Sequence, residues 1–317
     1  MEPPGPRVPE AAGDDPPGRP AAPRIRSARP RLAVLRSGHA YADAFVDPEG
    51  LDIGLAAVTD GRLLARFVEF AGVRPGCAVV EVGAGTGLLT FEGGLAEAVG
   101  TAGEVLGTDP AGPLLRLFRR KGARYGPGRV RAEWAPAEAL PIADGQADVV
   151  CGSRFLHYCD IPRALAEMRR VARPGGCVAV LAVLEPILPV AWLRLAAVLG
   201  EAWPGDGRAV PAGVGPGLLH PEGAVAAAFG RCGLERVETR RAAQRADFPD
   251  PALSLRLVSQ LSVLEALARN LPPRLQGPRL DAAYRELRAM FQCVPARSRR
   301  MVLRYEFVRG RVPEGRG

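Results

Sequence analysis

Lysine is almost missing from this chain: Lys121 is the only one in 317 residues. Positive charge is therefore carried almost entirely by arginine, the side chain that stays ionised and offers a planar fork of donors. Histidine is scarce as well, with three residues, His39, His157 and His220, so few side chains can titrate near neutrality. The six cysteines (Cys77, Cys151, Cys159, Cys177, Cys232, Cys293) are scattered and none forms a C-x-x-C pair. That argues against a zinc site and against a disulfide framework, and no metal is expected. A reactive thiol at Cys151 or Cys159 is less favoured than a buried cysteine acting as a small hydrophobe. Long apolar runs are lacking too. The most apolar stretch, 177–199, is broken by Glu185, Pro186, Pro189 and Arg194, which argues against a membrane span. The first 36 residues are rich in Pro, Gly, Ala and Arg and hold no apolar h-region. No secretory signal is expected there, and the default expectation is a cytoplasmic location.

The formal charge is +8 and it is unevenly spread. The basic excess falls in residues 1–36 and 231–317, and the middle of the chain is net acidic. A basic C-terminal third is one footprint of nucleic-acid binding. The alternative is a solvated, arginine-biased surface. It is favoured because no aromatic or glycine motif of an RNA-binding module interleaves the charge.

Residues 1–36 read as a disordered Pro/Arg-rich tail. Leu63, Leu64, Phe67 and Val68 predict a helix over 59–71. Residues 86–99 read as a second helix, and Leu114, Leu115, Leu117 and Phe118 mark a third. Residues 128–133 predict a strand. Asp160 is placed to cap a helix with the apolar stripe Ile161, Leu165, Met168 and Val171. An apolar strand follows at 177–184. Strands that alternate with helices give a parallel sheet covered on both faces. Near the end, Met301, Leu303, Tyr305 and Phe307 alternate with Val302, Arg304, Glu306 and Val308, a period-two strand. Its expected partner is 234–239. The main domain is expected over 37–310, with inserts at about 186–219 and 242–297 read as a substrate lid, and a flexible tail at 311–317.

The chemistry concentrates in one stretch. Val79-Val80-Glu81-Val82-Gly83-Ala84-Gly85-Thr86-Gly87 reads as a buried strand running into a glycine turn, and Val105-Leu106-Gly107-Thr108-Asp109 as a second strand ending in a lone carboxylate. Such glycines let the backbone bend tightly and let a ligand approach. The acid at the strand tip can accept hydrogen bonds from both hydroxyls of a ribose. The pattern is G-x-G-x-G rather than the dinucleotide G-x-G-x-x-G, and Leu88 stands where the third dinucleotide glycine would fall. Glu81 would repel a diphosphate and tolerate a cation. S-adenosylmethionine, a sulfonium with a ribose and no phosphate, fits better than NAD.

Further motifs follow in order: Ala137-Glu138-Ala139-Leu140-Pro141, then Ala147-Asp148-Val149-Val150-Cys151, Phe155-Leu156-His157-Tyr158, and Val171-Ala172-Arg173-Pro174-Gly175-Gly176. As a set, over about 60–185, they resemble the class I S-adenosylmethionine-dependent methyltransferases. The likeness is strongest to the small-molecule group with the ubiquinone and menaquinone C-methyltransferases. The resemblance implies a Rossmann-like, doubly wound, mostly parallel seven-stranded sheet with an antiparallel last strand. It implies that Glu81, Gly83, Ala84 and Gly85 line the methionine part of the cofactor, with Gly87 completing the turn. Asp109 would bind the ribose hydroxyls and Pro110 would flank the adenine, with Ala137 and Glu138 beside it. Ser153 would stand at the mouth of the site. The family usually has an Asp just before the Ala-Glu pair. Here Pro136 stands there and cannot accept from the adenine amino group through a side chain.

The resemblance leaves the acceptor open. His157, just past the fourth strand, is the leading candidate for a catalytic base, against a packing role beside the helix cap. Arg154 and Tyr158 are candidates to bind an acceptor oxygen, and Trp192 to contact an apolar acceptor. His220 reads as a helix-start residue. His39 lies near Tyr41 and Phe45, which could close over the cofactor as such segments do in related enzymes. The Asn/Asp-Pro-Pro-Tyr motif of amino-group methyltransferases is absent; Cys151-Gly152-Ser153-Arg154 stands instead. The expected activity is methyl transfer to carbon or oxygen of a small, apolar acceptor. The alternatives are an RNA methyltransferase using the basic C-terminal third, or a non-catalytic protein that binds the cofactor.

Overall fold

The computed structural model describes residues 25–26, 48–184, 220–247, 285 and 300–314. The expectations for His39, Tyr41, Phe45, Trp192 and the insert 186–219 lie outside them. So does the segment 248–297, apart from Arg285.

Seven strands form one sheet. They are β1 (Ala78–Val82), β2 (Glu104–Asp109), β3 (Val130–Trp134), β4 (Ala147–Ser153), β5 (Ala172–Val183), β6 (Glu235–Asp247) and β7 (Arg300–Arg311). Their order is β3-β2-β1-β4-β5-β7-β6. Strands β1 to β5 pair in parallel, and β7 runs antiparallel between β5 and β6. Every residue of β1 and β2 is buried, which is why these strands read as near-continuous apolar runs rather than as alternation. The chain runs outward from β1 through β2 to β3, then returns to the far side of β1 with β4. That reversal opens a crevice at the carboxyl ends of β1 and β4, where open α/β sheets bind ligands.

Helices cover both faces. On one face α2 (Gly61–Phe70) buries Leu63, Leu64, Phe67 and Val68, and Phe67 meets Phe307 of β7 edge-on at 5.4 Å. The Asp60 side chain caps α2 by accepting from the Arg62 N–H at 2.9 Å. Ahead of it, α1 (Pro48–Val58) packs Leu51 against Ala111 and against Leu114 of α4 (Gly112–Gly122). On the other face α5 (Ile161–Val171) buries Leu165, Met168 and Val171, and Asp160 caps it by accepting from the Arg163 N–H at 3.0 Å. A cap of this kind contributes about 1 kcal/mol.

Four expectations change. The segment 86–99 is not one helix. It is a wide π-type turn (Leu88–Glu92) followed by the short α3 (Leu95–Ala98), because Gly94 takes φ +73 between them. β6 continues to Asp247, pairing with β7 as far as Arg300, so residues 242–247 are sheet rather than lid. Part of the terminal stretch 311–317 is anchored: β7 includes Arg311, and the Val312 N–H donates to the Gly176 carbonyl at 3.0 Å. Within the first 36 residues, Ile25 is buried in the core. Its N–H donates to Glu104 Oε1 at 2.8 Å and its carbonyl accepts from Arg131 Nη2 at 2.9 Å.

Candidate active site

The crevice is built from three strand ends. From β1 come Glu81 and the turn Gly83–Gly87. Gly83, Gly85 and Gly87 all adopt positive φ (67, 55 and 89), the left-handed region that costs an L-residue roughly 1–2 kcal/mol. Above Gly85 an added Cβ would meet nothing nearer than Leu114 Cδ1 at 3.9 Å, so space is open over the middle of the turn. The turn is closed by the Ala84 N–H on the Thr108 carbonyl (2.9 Å) and the Gly87 N–H on the Ala84 carbonyl (2.8 Å).

From β2 comes Asp109. Its Oδ2 accepts from the Gly85 N–H at 2.9 Å and its Oδ1 from the Ala111 N–H at 2.8 Å. Each oxygen keeps acceptor capacity for a ligand. Burial pushes the Asp109 carboxyl up to about 6, against the pull of those two N–H groups. Glu81 is 2 % exposed and accepts from the Thr90 hydroxyl. Burial drives its carboxyl up to about 8, and the nearby Asp109 carboxylate adds to the rise. Two buried carboxyls thus flank a glycine turn, and the pull of Lys121 on Glu81 does not offset its burial, an arrangement a bound cation would relieve.

Both groups are more protonated in the folded chain than in the unfolded one. Stability of the ligand-free protein therefore falls as pH rises from about 4 to about 8. A ligand that needs both carboxylates ionised must expel protons on binding. Titrations in buffers of different ionisation heat are expected to show proton release on cofactor binding near pH 7, and affinity that drops as pH falls below 7.

The remaining predicted residues fall around this centre. Pro110 follows Asp109, and its carbonyl accepts from Trp134 Nε1 at 2.6 Å. Trp134 ends β3 opposite Asp109 and is 42 % exposed. Sequence reasoning passed over it, although an indole closing a strand beside the ribose carboxylate was the available signal. Its fluorescence is expected to change when a nucleoside binds, and Trp134→Phe to remove that part of the change. Ala137 is buried in the adjoining core. Glu138 spends Oε1 on the Asp160 N–H at 2.8 Å, so it also steadies the start of α5. Pro136 is buried and its carbonyl accepts from the Ala139 N–H at 3.1 Å.

Thr86 and α1 also meet here. The Thr86 hydroxyl donates to Asp52 Oδ1 at 2.6 Å, and Lys121 reaches Asp52 at 3.1 Å and Glu92 at 2.9 Å. The single lysine thus ties α1 to the glycine turn.

From β4 come Ser153 at the strand end, then Arg154, His157 and Tyr158. The His157 and Tyr158 rings lie 4.0 Å apart. Burial pushes the His157 imidazole down to about 3, with His220 and Arg154 adding to the fall. His157 is neutral at pH 7 and a weak base, better suited to hydrogen-bond an acceptor than to take a proton from a hydroxyl. The structure brings His220 near it. His220 is 7 % exposed, and its Nε2 has no hydrogen-bond partner among the described residues. The thiols of Cys151 and Cys159 are both pushed up by burial, so neither is a thiolate. No group of three or more metal-ligating side chains occurs among the described residues.

A parallel sheet closed by an antiparallel pair, with a glycine turn after β1 and a carboxylate at the tip of β2, is the Rossmann-like fold of the class I methyltransferases. Residues 79–176 match the family model described as a methyltransferase domain. Relatives include the ubiquinone/menaquinone biosynthesis C-methyltransferase UbiE of Hahella chejuensis, 36% identical over 132 residues, covering 41% of this chain and 52% of that one. The 2-phytyl-1,4-naphtoquinone methyltransferase of Synechocystis is 36% identical over 126 residues, covering 38% of this chain and 51% of that one. The chain thus spans about half the length of these relatives. Among solved structures, the YcgJ protein of Bacillus subtilis superposes with a TM-score of 0.52 at 17% identity, over 81% of this chain and 100% of that one. No helix among the described residues is long and apolar enough to cross a membrane.

Proposed function

We propose that this chain transfers a methyl group from S-adenosylmethionine to carbon or oxygen of a small acceptor with an apolar body. The observation that carries this reading is the pair of buried carboxyls, Glu81 and Asp109, on either side of the left-handed glycine turn at the switch point of the sheet. The residues present fit that cofactor. Asp109 has spare acceptor sites for two ribose hydroxyls, and open space lies over Gly85. Glu81 gains a cationic partner. Pro110 and Trp134 offer apolar surface for adenine. The relatives named for quinone biosynthesis support a ring acceptor, and the matched segment leaves the acceptor's identity to experiment.

When bound, the cofactor would supply an electrophilic sulfonium methyl, with neutral S-adenosylhomocysteine as its leaving group. The chain's own residues bind, orient and dry the site. Fixing both reactants can contribute on the order of 7–11 kcal/mol. His157 and Tyr158 line the mouth and offer hydrogen bonds to an acceptor oxygen. As His157 is neutral and weakly basic, His157→Gln is expected to lower kcat by no more than about tenfold, below the 10²–10⁴ typical of a lost general base. A steeper loss, with an acid limb erased from the pH profile, would restore it as the base.

The direct test is calorimetric titration with S-adenosylmethionine, followed by transfer of a labelled methyl group to a panel of phenols, quinols and polar acceptors. Saturable binding with label in a ring acceptor is the expected result. Binding without transfer to any acceptor would favour a non-catalytic role, and label in RNA the nucleic-acid reading.

A further inference from the structure

Arg154 stands immediately after β4 with φ 59, in the left-handed region. A non-glycine residue is held there at a cost of roughly 1–3 kcal/mol and only when its surroundings over-determine it. Three elements do so. The Arg154 N–H donates to the Leu181 carbonyl of β5 at 2.9 Å. Nη1 donates to the Thr59 hydroxyl, between α1 and α2, at 2.9 Å. The guanidinium also lies beside the buried phenol of Tyr305 on β7, close enough to pull down that hydroxyl's otherwise burial-raised pKa. All three partners are neutral, and no carboxylate of the described residues pairs with Arg154. Three other half-buried cations differ: Lys121 pairs with Asp52, Arg131 with Glu104 and Arg170 with Glu167. A guanidinium has five N–H donors. Thr59 and Tyr305 engage two of its sides, and the cation is left with donors to spare at the carboxyl end of the sheet, close to His157.

We propose that Arg154 is the receptor for a compact oxyanion, a carboxylate or an ionised hydroxyl, carried by the acceptor, and that Thr59 and Tyr305 are positioning residues that aim it. This rests on the methyltransferase reading only for the word acceptor; anion binding at Arg154 is measurable without the cofactor. A planar fork suits a carboxylate in two-point contact and favours the anionic form of a hydroxyl. It holds the acceptor in a nucleophilic state without a side-chain base, a hydroxyl's proton passing to solvent as the anion binds, in keeping with a His157 that stays neutral.

The test is ligand-detected NMR on the full chain with benzoate, its neutral isostere benzamide, and 4-nitrophenolate, each with and without S-adenosylhomocysteine. Benzoate or nitrophenolate is expected to bind about ten- to a hundredfold more tightly than benzamide, the range of a charge-assisted hydrogen bond. The stronger of the two anions identifies which oxyanion the site takes. Arg154→Asn, a residue that tolerates positive φ, is expected to abolish the preference for the anion, while Arg154→Lys retains part of it. Tyr305→Phe is expected to reduce the preference several-fold with homocysteine-analogue binding unchanged. Equal binding of benzoate and benzamide, absence of binding by either anion, or a preference that survives Arg154→Asn would overturn the proposal. S-adenosylhomocysteine affinity, read in the same samples, separates these outcomes from a failure of the methyltransferase reading.

Discussion

Asp109→Ala is expected to abolish S-adenosylmethionine binding while leaving the protein folded. The carboxylate does two jobs. It fixes the turn through the Gly85 and Ala111 N–H groups, and its remaining lone pairs are available to accept from a ligand. Each hydrogen bond to a charged group contributes about 1.5–3 kcal/mol. Loss of two to a ribose therefore weakens binding by on the order of 10²–10⁴. Two effects on stability oppose one another. The variant leaves two N–H groups without their partner, but it removes a carboxyl that burial holds up at about 6, which at pH 7 is a cost to the folded state. The thermal midpoint is thus expected near that of the parent, so lost binding is not lost folding. Asp109→Asn keeps one carbonyl oxygen but turns an NH₂ toward a backbone N–H, and is expected to fall between the two. Calorimetry on the three proteins decides. Asp109→Ala binding within about tenfold of the parent would remove the ribose from this carboxylate.

The parts of the site that were legible in the sequence are those built from neighbours along the chain. Glu81, the glycine turn and Asp109 lie on two adjacent strand ends, and their residue types state the backbone conformation and the chemistry together. The cap Asp160 behaves in the same way. What stayed hidden depends on long-range pairing. Arg154 meets Thr59 across 95 positions, and Tyr305 reaches it only because β7 inserts beside β5. No period or spacing announces such a triad. The alternation at 301–308 placed β7 as a strand, yet Glu306 and Val308 are buried along with Tyr305 and Phe307, because β7 lies inside the sheet with cover on both faces. The helix expected over 86–99 failed for a local reason, since the Gly93-Gly94 pair lets the chain open into a π-type turn and restart. Ile25 escaped notice because one apolar residue in a proline-rich tail carries no periodic signal, whereas its N–H and carbonyl are gripped by Glu104 and Arg131.

Gly87→Ala is expected to be strongly destabilising. The glycine sits at φ +89, and a Cβ there would lie 2.2 Å from Phe91 Cε2 and 2.9 Å from Phe118 Cδ2. Those rings pack against each other at 5.1 Å, with Lys121 over the Phe91 face, so neither can withdraw without opening the core behind the turn. Backbone strain of roughly 1–2 kcal/mol adds to overpacking of about 1–3 kcal/mol. The sum is a large part of the 5–15 kcal/mol by which an ordinary domain is stable, on the order of a third of it. Gly94→Ala is the internal control. It shares the left-handed backbone, φ +73, but its added Cβ would meet nothing within 4 Å, so it is expected to cost only the backbone share. Urea unfolding of both variants separates steric from conformational cost. A cycle with Phe91→Ala is expected to recover the steric share of Gly87→Ala and leave the backbone share, a coupling of about 1–3 kcal/mol between neighbours. Equal losses for Gly87→Ala and Gly94→Ala would mean the phenylalanines yield, and that the turn owes its shape to φ alone. A greater loss at Gly87 would show that the Phe91–Phe118 pair sets the floor of the cofactor turn, so that the core behind the site, and not the glycines alone, fixes where Gly85 meets Asp109.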